Sequence, residues 1–392
     1  MALVNSTPVR ALLASRLLVL VAGAAGALLT PRRVGWWPAA DPTQLTERLG
    51  TIGNVLAASA VRWDSIHYLG IAEHGYASAS STVFFPLYPL LVHVFGVIGS
   101  DAVAGVAISL AALAVALVLL HRLTTLELGR RAADATVLLL AFAPVSFFAS
   151  AVYTESLFLA LSVGSIYAAR QGRWRLGCAL GGLAAATRVT GAGLVLPLGL
   201  MYVRERRGLD RRAAWLLTVP LGLGAYLGYL ALRGYGVLSP FAGQTGAEHG
   251  HQMTGPLQTL VSAVQAAAAG ARLALSQPIY QPSLGGPFSN GVESVVLLAV
   301  LGLAVGALVV AFRRLPLAYG AYALAVLLVC TWSPVEGQPL KSLDRYTLTI
   351  FPLWMAAGAW LSERRLSRWV VLVSAGLLAF WTFQFATWAW VA

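Results

Sequence analysis

Long apolar runs alternate with short, Arg-rich interruptions along almost the whole chain. The runs lie at about residues 11–30, 102–121, 134–150, 155–169, 176–203, 213–232, 291–312, 316–332, 346–361 and 369–390. A helix crossing the hydrocarbon core of a bilayer needs about 20 such residues, so the pattern predicts an all-α polytopic membrane protein. The break in this rhythm is residues 31–101, a moderately polar region with its own motifs. Within it, Asp41-Pro42-Thr43-Gln44 reads as a helix start, and 43–60 as an amphipathic helix along the membrane surface. Residues 84–99 are apolar but short and hold two prolines, so they either cross or lie as a re-entrant surface helix.

The positions of the basic residues decide between these. Arg122, Arg130 and Arg131; Arg170, Arg173 and Arg175; Arg204 to Arg212; Arg313 and Arg314; and Arg364, Arg365 and Arg368 all punctuate the apolar runs. Short cytoplasmic loops carry an excess of Lys and Arg. All clusters fall on that side only if 84–99 does not cross and 176–203 crosses twice, as a tight hairpin of short helices with its tip near Thr187-Arg188-Val189-Thr190-Gly191. Broken helices of that kind are tolerated where they border a polar cavity. The expectation is about 11 spans, with the N-terminus cytoplasmic and the C-terminus outside. Residues 11–30 form an uncleaved first span rather than a signal peptide, because Pro31-Arg32-Arg33 is a poor cleavage context. The external segments are then 31–101, 151–154, the hairpin tip, 234–290 and 333–345. No repeat or second domain interrupts 1–392, and Gly-rich stretches bracket a surface helix at 256–275.

Composition agrees: 58% of the 392 residues are hydrophobic and only 11% charged, where a soluble domain carries about a quarter. The net charge of +12 would suggest nucleic acid in a soluble protein; here it is an insertion signal, and no nucleic-acid partner is expected. Lys341 is the only lysine. This Arg- and Ala-rich usage points to a GC-rich bacterial genome, hence a bacterial plasma membrane. Cys178 and Cys330 lie in apolar segments and imply neither a disulfide framework nor a metal site.

With that topology, most polar residues at membrane depth gather on the external side. Ionisable residues there are costly, which favours function. Asp64, beside Trp63 and one turn before His67 and Tyr68, can act as a general base in a half-dry pocket or cap a helix. Glu73 and His74 offer a second carboxylate and a donor, or close a helix on Gly75. Glu155 is either a helix-start residue favoured by the dipole or a second acidic wall. Arg188, between two half-helices, needs an anion such as a lipid phosphate, or a structural pair with Glu155. Gln244 lies in the large loop. Lys341 and Arg345 flank Asp344 before Tyr346, and can hold a phosphate diester or snorkel to headgroups. His249 and His251 beside Glu248 suggest metal binding only weakly, and no metal or other cofactor is expected. No Walker loop, nucleotide-binding glycine fingerprint or Gly-x-Ser-x-Gly is present.

The stretch Trp63-Asp64 … Tyr68-Leu69 … Ile71-Ala72-Glu73-His74-Gly75-Tyr76 … Phe84-Phe85-Pro86-Leu87-Tyr88-Pro89 resembles the signature of the second mannosyltransferase of GPI-anchor synthesis and its bacterial relatives. Ser150 to Phe158, Ala186-Thr187-Arg188-x-x-Gly191 and Asp344-Arg345-Tyr346 … Phe351-Pro352 support the resemblance. It implies the glycosyltransferase C fold with non-crossing juxtamembrane helices in the first external loop. It also implies a polyprenyl- or dolichyl-phosphate mannose donor and inversion at the anomeric carbon; the family's acceptor varies and does not carry over, and a glycolipid or glycan acceptor is expected. By the same resemblance Asp64 takes the catalytic acidic position and Glu155 the second acidic loop, while Arg345 and Arg188 become candidates for the donor phosphate. Asp344 departs from the pattern, where an apolar residue or proline is expected, and can partly neutralise Arg345. Two other readings remain open: a lipid-linked sugar transporter or flippase, which calls for repeated halves and a polar path through the full membrane depth, and a non-catalytic subunit of a glycosylation complex.

Overall fold

The computed structural model describes residues 6–29, 41, 43–206, 210–245, 252–276, 287–389 and 391. Among these, regular structure is helical throughout, apart from an isolated bridge between Val335 and Gln338. The helices are α1 (Thr7–Leu29), α2 (Gly50–Ala57), α3 (Ser65–His74), α4 (Leu87–Gly96), α5 (Asp101–Leu128), α6 (Arg130–Ala141), α7 (Glu155–Arg170), α8 (Trp174–Ala185), α9 (Val195–Arg206), α10 (Thr218–Leu232), α11 (Ser239–Thr245), α12 (Pro256–Ser276), α13 (Pro287–Arg314), α14 (Leu317–Cys330), α15 (Leu343–Leu348), α16 (Phe351–Glu363) and α17 (Ser367–Ala386).

Among the described residues, five segments are long and apolar enough to cross a bilayer: Thr7–Leu29, Asp101–Leu128, Arg211–Leu232, Gly291–Arg314 and Ser367–Ala386. Their outward faces carry bare Leu17, Leu28, Leu232, Leu303 and Val373. So much exposed apolar surface is unsuited to water and suits lipid. The chain is therefore an integral membrane protein. The other runs expected to span fall on shorter helices, α6 to α9, α14 and α16. These are the most buried part of the bundle: their Leu140, Phe158, Val163, Leu198, Tyr322, Phe351 and Met355 form its central core.

Several local expectations hold. Residues 176–203 do form two 12-residue helices, α8 and α9, separated by an extended Arg188 and a tight turn at Val189–Leu194. Helix α4 has 10 residues, about 15 Å of helix at 1.5 Å per residue, half the thickness of a hydrocarbon core. That length suits a surface helix that does not cross. Helix α12 matches the surface helix expected at 256–275.

Two expectations need correction. The helix expected at 43–60 is only Gly50–Ala57. Residues 43–49 are turns because the buried Asp41 carboxylate accepts from the backbone N–H groups of Leu45 and Thr46 and from the Thr46 hydroxyl; such local bonds compete with a helix. The run 346–361 is not one helix either. It breaks at Thr349-Ile350 into α15 and α16, with Pro352 in the first turn of the second. The break leaves Arg345 and Tyr346 on a short helix of their own.

Three ties carry the polar loops onto the bundle. The Val152 N–H donates to the Ala60 carbonyl (2.8 Å) and the Leu87 N–H to the Ala186 carbonyl (3.1 Å). The Ser109 hydroxyl, on a spanning helix, donates to the Ala151 carbonyl at 2.7 Å. The first loop, the 151–154 turn and the hairpin break are thereby held against one another. At the far end of the bundle Arg170 meets Glu127 (2.5 Å), Tyr319 donates to the same carboxylate (2.8 Å), and Arg314 pairs with Glu363. The basic clusters and the polar loop motifs thus occupy opposite ends, since α7 runs from Glu155 at one to Arg170 at the other.

Helices α8 and α10 approach backbone to backbone. A Cβ on Gly222 would lie 1.8 Å from the Gly182 carbonyl oxygen; small residues of this kind let membrane helices pack closely. Gly222→Val is expected to force the pair apart at a cost of about 1–3 kcal/mol. The purified protein in detergent should melt at a lower temperature, whereas Gly224→Val, at a position with open space around it, should melt nearly as the parent does.

Candidate functional site

Asp64 stands at the N-cap position of α3, yet its side chain makes no capping bond. The carboxylate instead meets Arg345 Nη1 at 2.7 Å, a contact between residues 281 apart in sequence. The same guanidinium reaches Glu155 through Nε at 3.5 Å. Arg188 Nη1 closes on the same Glu155 oxygen at 3.0 Å. Two carboxylates and two guanidiniums therefore alternate in one connected cluster of balanced charge. Glu155 is 2% exposed and Asp64 23%, so the cluster has a deep acid and a shallow one.

Aromatic side chains wall this cluster. The Arg345 guanidinium lies 5.5 Å from the ring centres of Phe148 and Tyr153 and 5.4 Å from that of Tyr346. The Arg188 guanidinium is 5.3 Å from Tyr346, which thus lies against both cations. The Tyr153 hydroxyl accepts from the Asp64 N–H (3.1 Å) and donates to the Arg62 carbonyl (3.2 Å). That bridge sets the start of α3, and with it the position of the Asp64 side chain. Trp63, immediately before, sits in the left-handed region at φ 54°, an uncommon conformation for a bulky residue. Its indole N–H donates to the Ala389 carbonyl at 3.2 Å.

Burial opposes the charge on Arg345, but the Asp64 and Glu155 carboxylates more than offset this and hold the guanidinium firmly protonated. Burial, with the Asp64 charge beside it, keeps the Tyr153 hydroxyl protonated too. Lys341 is drawn below the usual lysine range by burial, while Asp64 and Glu293 pull it back up. Burial pushes the Asp344 carboxyl up to about 6, against the pull of the Arg345 N–H and charge. Its oxygen accepts from the Arg345 backbone N–H at 2.8 Å. The Arg345 side chain goes to Asp64 and Glu155, so Asp344 acts on that guanidinium through its charge and not through a direct side-chain ion pair.

Of the residues anticipated from sequence, Asp64, Glu155, Arg188, Arg345 and Tyr346 meet in the cluster. Tyr68 joins them, buried and close enough to feel the charges of Glu155, Asp64 and Arg188. Lys341 lies within electrostatic reach of Asp64. Trp63 adjoins Asp64 but turns towards Trp388, 5.8 Å between ring centres. His67 is exposed and stacks on Phe84 at 4.5 Å. The remainder are placed elsewhere. Glu73 and His74 sit at the far end of α3, nine and ten residues from Asp64, about 14 Å along the axis. There Glu73 pairs with Arg48 at 2.9 Å and His74 is exposed. Gly75 at φ 74° ends the helix. Gln244 lies on α11, which packs on the Ser80–Val83 turn. Glu248, His249 and His251, the weak metal candidates, lie outside the described residues. Among the described residues no group of three or more His, Cys, Asp or Glu is placed to hold a metal ion.

Sequence reasoning passed over Tyr153, Phe148 and Glu293. The first two lie in or beside the Ser150–Phe158 motif, but nothing in a tyrosine's spacing tells that its hydroxyl will bridge two distant backbone groups. Glu293 carried a clearer signal, a lone carboxylate at the head of an apolar run. It accepts from the Gln338 side chain at 2.8 Å and so anchors the last loop beside Lys341.

The family model described as Mannosyltransferase (PIG-V) matches residues 27–202. Among curated relatives, the GPI alpha-1,6-mannosyltransferase 2 of Mus musculus is 33% identical over 184 residues, 44% of this chain and 35% of the relative. The GPI mannosyltransferase 2 of Yarrowia lipolytica is 29% identical over 153 residues, 38% of this chain and 42% of the relative. The chain thus spans well under half the length of the curated relatives it matches. No solved structure matches it. The resemblance to the GPI mannosyltransferase 2 family covers Asp64, Glu155 and Arg188, whereas Arg345 lies beyond the matched segment and enters the site through the fold.

The depth of the two acids predicts how each responds to neutralisation. Removing one member of a buried ion pair leaves an uncompensated charge and costs about 3–5 kcal/mol; at the shallower acid, water takes over part of the role. Glu155→Gln should therefore lower the melting temperature of the purified protein more than Asp64→Asn does. Equal or reversed losses in parallel thermal melts would contradict the arrangement of charges given above.

Proposed function

We infer that this protein is a membrane-embedded mannosyltransferase that takes mannose from a polyprenyl- or dolichyl-phosphate mannose donor. It passes the sugar to a lipid- or glycan-linked acceptor on the extracytoplasmic side. The observation that carries this reading is the placement of the Asp64 carboxylate 2.7 Å from the Arg345 guanidinium, with Glu155 and Arg188 beside them. A base for an incoming hydroxyl and cations for a departing phosphate are present in one cluster; a single displacement needs them on opposite faces of the anomeric carbon, so Arg345 must part from Asp64 as the donor binds. The resemblance to GPI mannosyltransferases supplies the sugar and, by analogy, the lipid phosphate.

In the reaction proposed, the acceptor oxygen forms a bond to the mannose anomeric carbon as the bond from that carbon to the phosphate oxygen breaks. Asp64 takes the acceptor's proton, and the polyprenyl phosphate leaves with the electron pair. Attack from the face opposite the phosphate inverts the centre. Arg345, with Arg188 and Lys341, offsets the charge that develops on the leaving group; a fixed cation in a low-dielectric site does so without reorganising. Asp64 is held by Arg345, and a carboxylate so paired is a weak base. Phosphate binding would draw Arg345 off and free Asp64 when the donor is in place. Glu155, deeper and shared by both arginines, positions them.

The transporter reading loses ground to the distribution of charge. The polar cluster sits at one end of the bundle, and the core below it is apolar and packed with Phe158, Leu198 and Tyr322.

Incubation of purified protein with labelled polyprenyl-phosphate mannose and membrane lipid tests the reading. Asp64→Asn, properly inserted, is expected to lower kcat about 100- to 10,000-fold with little change in donor binding. Full activity in that variant would remove Asp64 as the base. A second outcome concerns pH. The Asp344 carboxyl, raised to about 6 by burial, is neutral below that pH and negative above it. Its charge opposes an anionic donor beside Arg345, so KM for the donor should rise as pH climbs through about 6. Asp344→Asn should flatten that rise and leave kcat nearly unchanged.

A further inference from the structure

At the end of the bundle away from Asp64 lies a cavity of about 420 Å³ walled by Gly172, Arg173, Trp174, Arg175, Tyr202, Arg212 and Trp215 among others. Helix α7 separates it from the acidic cluster by 16 residues, about 24 Å at 1.5 Å per residue. Four features converge on it. Three guanidiniums line it, and among the described residues none of the three is held in an ion pair. Helix α8 begins there with Arg173 as its cap and no side chain on its first turn; the free N–H groups and dipole of such an end favour an anion. Trp174 is 8% exposed, and its indole N–H is buried with no hydrogen-bond partner, a state that costs about 1–3 kcal/mol if left so. Finally, Arg175 sits 5.1 Å from the Trp215 ring centre and Trp174 packs edge-on to Tyr202 at 4.9 Å, so cations and aromatic walls are held in fixed relation. Asp210, the carboxylate bonded to two of the lining residues, is engaged by the Tyr202 hydroxyl and by the Arg212 N–H at 2.8 Å.

We propose that this cavity binds the phosphodiester head group of an anionic phospholipid. The chemistry it selects is a phosphate oxygen: a helix start and several guanidiniums accept its charge, and the indole supplies a further donor. Its position favours a lipid as the bearer. Trp215 and Leu217, 39% and 64% exposed, lie with Arg212 at the start of the spanning segment Arg211–Leu232, and Trp with Arg at the end of a span marks the headgroup level. Basic pockets between membrane helices are suited to such head groups.

The test uses the full-length protein purified in detergent, with native mass spectrometry as readout. Phosphatidylglycerol and phosphatidylcholine are offered together, with inorganic phosphate as a separate arm. Wild type should retain phosphatidylglycerol in preference to phosphatidylcholine. Each arginine contributes about fivefold, so Arg175→Gln with Arg212→Gln should weaken retention about twentyfold while the melting temperature holds. Trp174→Phe keeps the ring against Tyr202 and removes the N–H, and should weaken retention several-fold. Unchanged retention in the double variant overturns the proposal. So does displacement of the lipid by millimolar inorganic phosphate, which would make the cavity a site for a free phosphate.

Discussion

The structure depends on keeping one guanidinium charged in a dry place. Arg345 is reached by carboxylates from two elements far away in sequence, Asp64 from the first polar loop and Glu155 from the head of α7. An isolated charge at that depth would carry a desolvation cost of several kcal/mol. Two counter-charges and three aromatic faces offset it, and in doing so they fix the relative positions of four chain segments. Arg188, sharing Glu155, brings in a fifth element, the hairpin break. The cluster is therefore both a constraint on assembly and a chemical arrangement, and either role alone would explain only part of it. Pure stability would be served as well by apolar residues of similar volume; two acids of unequal depth beside two cations make more sense as a site.

How much of this could be read from the chain depends on the range of the interaction involved. Local signals worked well. Gly75 ends its helix with positive φ, the short α4 is visible in its two prolines, and the broken hairpin at 176–203 follows from a charge rule that needs no structure. Long-range polar bonds were harder. Asp41 looked like the start of a helix, and only the bonds to Leu45 and Thr46 reveal why seven residues beyond it stay in turns. The apolar run at 346–361 gave no hint of its break, because hydropathy is blind to a single kinked residue pair.

At the site the same division holds. Asp64, Glu155, Arg188, Arg345 and Tyr346 were legible because charge at membrane depth is expensive and therefore conspicuous. Glu73 and His74 were equally conspicuous, but they stand a further two to three turns along α3, where the helix has carried them to the surface and to Arg48. Charge scarcity marks candidates; helix geometry then selects among them. Tyr153 shows the reverse case. Tyrosine is no rarity in an apolar chain, and its importance comes from a hydroxyl that joins the Asp64 N–H to the Arg62 carbonyl, which only a fold can establish.

The unequal depth of the two acids has a mechanistic consequence. Glu155, enclosed and shared by Arg188 and Arg345, is out of reach of anything that enters from outside. Asp64, open on one side, is the group an acceptor hydroxyl could approach. Yet Asp64 is also bound to the very cation proposed to receive the leaving phosphate. A charge-balanced cluster cannot at once offer a free base and a free phosphate cradle; one anion must arrive before the other is released. In the reaction inferred, the Asp64–Arg345 pair quenches both groups, and the donor's phosphate is the charge that separates them. The order of substrate binding would then follow from electrostatics: a lipid-linked sugar phosphate first, and the hydroxyl that attacks it only after Arg345 has changed partners.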